Sequence, residues 1–121
     1  DLNSLNYKET IHILQESGVS AISVHGRTKS MGYTGSADWN IIGEIKSLAK
    51  VPIYGNGDIQ SYEEALKRKK ETNVDLVLIG RKAIGNPWIF SPKAKVEYKW
   101  ADVRQLILEH LDEMLKFYPS E

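Results

Sequence analysis

Three short β-rich runs, each set apart from the next by a helix-patterned stretch, constrain this chain more than any other feature. They are Ala21-Ile22-Ser23-Val24, Val51-Pro52-Ile53-Tyr54 and Asp75-Leu76-Val77-Leu78-Ile79. Their starts recur at roughly 25–30 residues, the period of a strand with its crossover helix. Strict alternation of this kind argues for a parallel sheet with right-handed crossovers. The third run is nearly all apolar, as suits a parallel strand covered on both faces.

The stretches between the runs carry helical periodicity and punctuation. Tyr7, Ile11 and Leu14 share one face of a helix over 6–16, and Gly18 stops it. Asp38 is placed to N-cap a helix whose Ile41, Ile42, Ile45 and Leu48 form a buried stripe. Ser61 and Glu64 fit a capping box at the head of the next helix. Pro87 suits the first position of a short helix over 86–90. Residues 91–99 are lysine-rich and aperiodic, which reads as a linker. Beyond them Val103, Leu106, Ile107, Leu111, Met114 and Leu115 make an amphipathic helix over 100–117 with nothing of its own to pack on.

Three strands make a poor free-standing sheet. The chain is either a small open α/β domain or a segment of something larger. The missing initiator Met, the start inside a helix and the orphan last helix favour the segment. The expected division is an α/β part over 1–92, then a linker and the first helix of a second domain over 93–121.

Composition removes some functional classes. Sixteen basic side chains balance sixteen acidic ones, so no net field draws in a polyanion and charge alone does not point to nucleic acid. No apolar run approaches the ~20 residues that span a bilayer, and the polar Asp1-Leu2-Asn3-Ser4 does not resemble a signal peptide. The chain has no cysteine, which excludes disulfides, thiolate metal sites and a cysteine nucleophile within these residues and fits a reducing cytoplasm. No metal and no membrane partner are expected.

All three runs end, on their carboxyl side, in small or polar residues: His25-Gly26-Arg27-Thr28, Asn56-Gly57-Asp58 and Gly80-Arg81. Parallel α/β folds bind ligands at that end, where loops and helix N-termini present free amides. In (β/α)8 barrels the last two such loops, with a short extra helix, often form a phosphate site. Gly57 and Gly80 would let backbone amides approach a phosphate, and Arg81 could add a charge-assisted bond. Each motif also has a plainer reading. Asn56-Gly57 is a common turn dipeptide, His25 could be a hydrogen-bonded residue at the core edge, and Arg27 could pair with Asp38. Trp39, Trp88 and Phe90 read as packing groups. The conjunction on one rim favours a ligand site.

Val24-His25-Gly26-Arg27-Thr28, Tyr33-Thr34-Gly35-Ser36-Ala37-Asp38-Trp39, Gly55-Asn56-Gly57-Asp58-Ile59, Ile79-Gly80-Arg81 and Gly85-Asn86-Pro87-Trp88-Ile89-Phe90 together resemble the tRNA-dihydrouridine synthase family in order and spacing. The resemblance covers Tyr7 to Phe90 closely and the tail more loosely. Lys82 departs from it, since the family usually carries a small residue there. It implies the last three βα units of a (β/α)8 TIM barrel, followed by the first helix of a helical tRNA-binding domain. It further implies that Asn56, Gly57, Asp58, Gly80 and Arg81 hold the phosphate of FMN. His25 would reach the flavin or its ribityl arm, and Arg27 would line the mouth near the substrate. The implied reaction is reduction of a uridine in tRNA to 5,6-dihydrouridine, with NADPH as reductant and a cysteine as proton donor. That cysteine and a flavin-side lysine belong to earlier strands of the barrel, so no catalytic residue is expected here, and the missing N-terminal half of the barrel is an expected partner. The alternatives are a flavin-free barrel enzyme acting on phosphorylated metabolites, and a non-catalytic excised segment.

Overall fold

In the computed structural model, which describes residues 5–92 and 98–118, the elements alternate as the sequence suggests. The order is α1 (Tyr7–Glu16), β1 (Ile22–His25), α2 (Trp39–Leu48), β2 (Ile53–Asn56), α3 (Tyr62–Thr72), β3 (Leu76–Leu78) and α4 (Trp100–Phe117), with short 3-10 turns at Lys29–Met31, Arg81–Ala83 and Pro87–Phe90. The strands form one parallel sheet in the order β1-β2-β3. His25 stands opposite Asn56, and Asn56 opposite Leu78, so all three strands finish at one level.

Strand boundaries shift from the expected ones for identifiable reasons. Pro52 has no N–H to donate. Its carbonyl accepts from Ile22 at 2.9 Å, and β2 begins at Ile53. Asp75, expected inside the third strand, lies ahead of it and donates its amide to the Ile53 carbonyl at 2.9 Å. β3 was expected to be covered on both faces. Instead it is an edge of the sheet, and Leu76 is half-exposed.

One core holds the helices to the sheet. Ile11 of α1, Trp39, Ile42 and Ile45 of α2, Ile22 and Ile53 of the strands, and Ile59 and Val74 beside α3 form a single buried cluster. Burying aliphatic side chains of this size contributes roughly 1.5–3 kcal/mol each. Leu48, expected in the stripe, ends α2 and is half-exposed. Asp38 caps α2 as expected, its Oδ1 accepting from the amides of Asn40 and Ile41. The box at α3 is displaced by one residue: Ser61 Oγ accepts from the Glu64 amide, but Glu64 Oε2 reaches back to the amide of Gln60.

The carboxyl-terminal part differs in texture. Pro87 opens its short turn as expected and Ile89 is buried, yet Phe90 is largely exposed, so it is not the packing group expected. Trp88 stacks on Tyr98 with ring centroids 4.0 Å apart. α4 carries no buried residue, and its Ile107, Leu111, Met114 and Leu115 all face solvent in part. The expected linker falls mostly on residues 93–97, outside the described residues, as does Asp1-Leu2-Asn3-Ser4.

Candidate site at the carboxyl ends of the strands

The chain leaves β2 through two residues with positive φ, Gly57 at 145° and Asp58 at 57°. Aspartate is among the few side chains that tolerate this region. Gly57 is required by packing: a Cβ there would stand 2.3 Å from the Ala37 Cβ. Its carbonyl accepts from the buried Trp39 Nε1 at 3.0 Å, which ties the turn to the first residue of α2. Gly80 is the opposite case, since a Cβ there would meet nothing within 4 Å. The turn that follows closes through the Ala83 amide on the Gly80 carbonyl at 2.8 Å, leaving the amides of Arg81 and Lys82 ahead of its first bond.

Asp58 joins all three strand ends. Its Oδ2 accepts from Arg27 Nη2 and from the Ala37 amide, each at 2.8 Å, and its Oδ1 accepts from Arg81 Nη2 at 3.1 Å. The Ala37 amide does most to hold this carboxyl below its ordinary range. Burial works the other way, and Arg27 and then Arg81 add to the lowering. Arg27 also donates to the carbonyls of Thr34 (3.3 Å) and Gly35 (2.8 Å), lacing the 29–37 loop to the rim. With its side chain 4% exposed, Arg27 is a latch between loop and rim. Its acidic partner is Asp58, whereas Asp38 is occupied in capping α2.

A cavity of about 490 Å3 opens over these ends, lined in part by His25, Tyr33, Asn56, Asp58, Gly80 and Arg81. Five of the seven residues singled out in the sequence therefore meet at one place. The other two do not line it: Gly57 faces Ala37, and Arg27 borders a neighbouring groove between β1 and the α1–α2 side. His25 is exposed at the rim and is not the core-edge histidine of the plainer reading. Two guanidinium charges against one carboxylate leave a positive charge in excess, and Lys82 at the cavity wall adds another. Tyr33, which sequence reasoning did not single out, is 84% exposed with its ring 5.4 Å from Arg81 Cζ. Its sequence signals are its place at the head of the resembling Tyr33–Trp39 block and its setting between Gly32 and Gly35.

The donor set suits an anion: an exposed arginine, the leading amides of a turn and an unobstructed glycine flank. Among the described residues no helix is long and apolar enough to cross a membrane, and no group of three or more His, Cys, Asp or Glu could hold a metal.

Fold and site thus define a parallel α/β protein with a positively charged cavity at the carboxyl edge of its sheet. The dihydrouridine synthase (Dus) family model matches residues 2–121, and the chain belongs to that family. It is 37% identical over 133 aligned positions to tRNA-dihydrouridine synthase B of Pseudomonas aeruginosa, covering 100% of this chain and 39% of the relative. It is 38% identical over 126 positions to tRNA-dihydrouridine synthase B of Xanthomonas axonopodis pv. citri, covering 98% and 38%. A probable tRNA-dihydrouridine synthase of Aquifex aeolicus is 40% identical over 111 positions, covering 89% and 35%. The chain spans about two fifths of the length of the first two of these relatives.

Proposed function

We propose that this chain is the cofactor-phosphate end of a flavin-dependent tRNA-dihydrouridine synthase, comprising the last three βα units of a TIM barrel over 1–92 and the start of a helical tRNA-binding domain over 93–121. The observation that carries this reading is the meeting of His25, Asn56, Asp58, Gly80 and Arg81 around one positively charged cavity. Bound FMN, reduced by NADPH, would supply the hydride that saturates a uridine of tRNA.

The residues of this chain have the tasks of binding and orientation. Arg81, with the amides at the head of its turn, would neutralise the FMN phosphate. Gly80 leaves room for the phosphate to approach, and Asn56 offers an amide side chain beside it. His25, exposed on the same rim, would reach the flavin or its ribityl arm. Arg27 stands behind them and fixes the loop that carries Tyr33. The family's cysteine proton donor has no counterpart among these residues, since the chain has no cysteine. Its own share is therefore placement, and the substrate uridine would leave its stack to reach the site.

The test is to purify the protein that carries this segment and look for a flavin released on denaturation, then for dihydrouridine formed in tRNA. A colourless protein that takes up no FMN but binds small phosphorylated metabolites would favour the flavin-free barrel enzyme instead.

A further inference from the structure

The geometry points to the Asp58 side chain, in place of the direct phosphate contact that the resemblance implies for Asp58, as a positioning group that touches no ligand atom and holds Arg81 at the cavity edge, coupling it through Arg27 to the loop that presents Tyr33. Both carboxylate oxygens are committed, Oδ2 to Arg27 and the Ala37 amide and Oδ1 to Arg81. A carboxylate would repel a phosphate, so its place in the cavity wall calls for a role other than contact. That role is visible on the arginine: Arg81 spends Nη2 on Asp58 and keeps its remaining donors on a side chain 63% exposed. An arginine held at one arm loses less rotamer freedom when its other arms take a ligand. The other oxygen reaches Arg27, whose guanidinium grips the Thr34 and Gly35 carbonyls on either side of the loop's return. Tyr33 lies over Arg81. A single aspartate, fixed at a φ of 57°, thus sets the mutual placement of an anion-binding arginine and an exposed aromatic ring.

This inference rests on the flavin-phosphate reading for its ligand, but the ordering of Arg81 is a property of the ligand-free protein. The experiment therefore has two arms. In the first, nitrogen-15 NMR of the arginine side chains follows guanidinium rotation in the ligand-free form of the whole protein that carries this segment. Arg81 should rotate slowly in the unaltered protein and freely in Asp58→Asn, a near-isosteric change that tolerates the left-handed backbone. Free rotation of Arg81 in the unaltered chain would overturn the proposal whatever the ligand.

In the second arm, FMN is titrated into the flavin-free whole protein that carries this segment and into its Asp58→Asn, Arg81→Ala and doubly substituted forms. Asp58→Asn should weaken binding about tenfold, and it should add nothing once Arg81 is gone. Simple removal of a negative charge near a phosphate predicts the opposite sign, so tighter binding by Asp58→Asn overturns the proposal. Equal losses in both backgrounds overturn it too, because a general structural defect would not depend on Arg81. Should Asp58→Asn fail to fold, Arg81→Lys at the exposed partner replaces it. A lysine lacks the rigid fork that lets one arm be held by Asp58 while the others point at a phosphate, so affinity equal to that of the unaltered protein would count against the idea. An ordered Arg81 with no FMN binding in any form sustains the positioning role and removes the flavin reading.

Discussion

Two aspartates sit at opposite ends of the sheet and do related work with different surroundings. At the foot, Asp75 Oδ2 accepts from Lys46 Nζ and from the Ile53 amide, each at 2.7 Å, so one carboxylate ties the start of β2 to α2. At the rim, Asp58 gathers one amide and two arginines. The foot cluster pairs one anion with one cation and closes on itself. The rim cluster leaves a cation in excess and faces a cavity. In barrels built of such units, the amino-terminal face serves stability and the carboxyl-terminal face serves chemistry. On the proposed reading, that difference here comes down to how many cations share an aspartate.

The largest expected effect separates two glycines of the rim itself. Gly57→Ala places a methyl 2.3 Å from the Ala37 Cβ on a backbone with φ 145°. Strain and overpacking together should cost about 3 kcal/mol in urea denaturation. Gly80→Ala meets no atom within 4 Å and should change stability by less than about 1 kcal/mol. Its methyl narrows the proposed phosphate approach, so FMN affinity should fall roughly tenfold, or about 1.4 kcal/mol. If Gly80→Ala destabilised the fold as much as Gly57→Ala, the division between packing glycine and access glycine would be lost.

Next in size is Trp39→Phe, which leaves the Gly57 carbonyl without its buried indole donor. A loss of about 1–2 kcal/mol is expected from thermal unfolding, beyond any change in packing. Smaller again is Asp75→Asn at the foot. It should lower the melting temperature while FMN affinity stays unchanged, the reverse of the pattern at Gly80. A change in FMN affinity with Asp75→Asn would mean that the two ends are not independent.

These contrasts show which parts of the molecule could be read from sequence. Alternation of apolar runs with helical stripes is local information, and it located the parallel sheet, the Asp38 cap and the polar strand ends that meet at the cavity. The Asp58 partnerships are not local. Arg27 and Arg81 lie 31 and 23 residues away from it, and no periodicity connects them. The sequence therefore offered Arg27 as a residue of the mouth and left Asp38 as its alternative partner, whereas the folded chain buries it against Asp58. Gly57 was legible as a glycine the turn needed, but the reason for it, contact with Ala37, depends on how the 29–37 loop comes back over the rim. β3 looked fully buried because its composition is that of an interior strand. In the three-stranded sheet it stands at an edge, which leaves Leu76 half-exposed, and closure of the proposed barrel would cover that edge.

The smallest effect is the acid limb of stability, and it tests the two aspartates together. Lys46, then the Ile53 amide, hold the Asp75 carboxyl below its ordinary value, as the Ala37 amide and the arginines do for Asp58. A carboxyl lowered by folding contributes stability that is complete above its unfolded value of about 3.9 and is lost as pH falls through the lower folded value. The melting temperature should therefore be flat from neutrality down to about pH 4 and fall below it. Asp58→Asn and Asp75→Asn should each flatten that fall. Because the two clusters share no partner and lie at opposite ends of β2, the double variant should flatten it by the sum. A remainder is expected from Glu44, lowered by Lys8 and then Tyr7 at the α1–α2 contact. Marked non-additivity between the aspartates would show that rim and foot communicate through β2, and the separation of anchor from site would have to be abandoned.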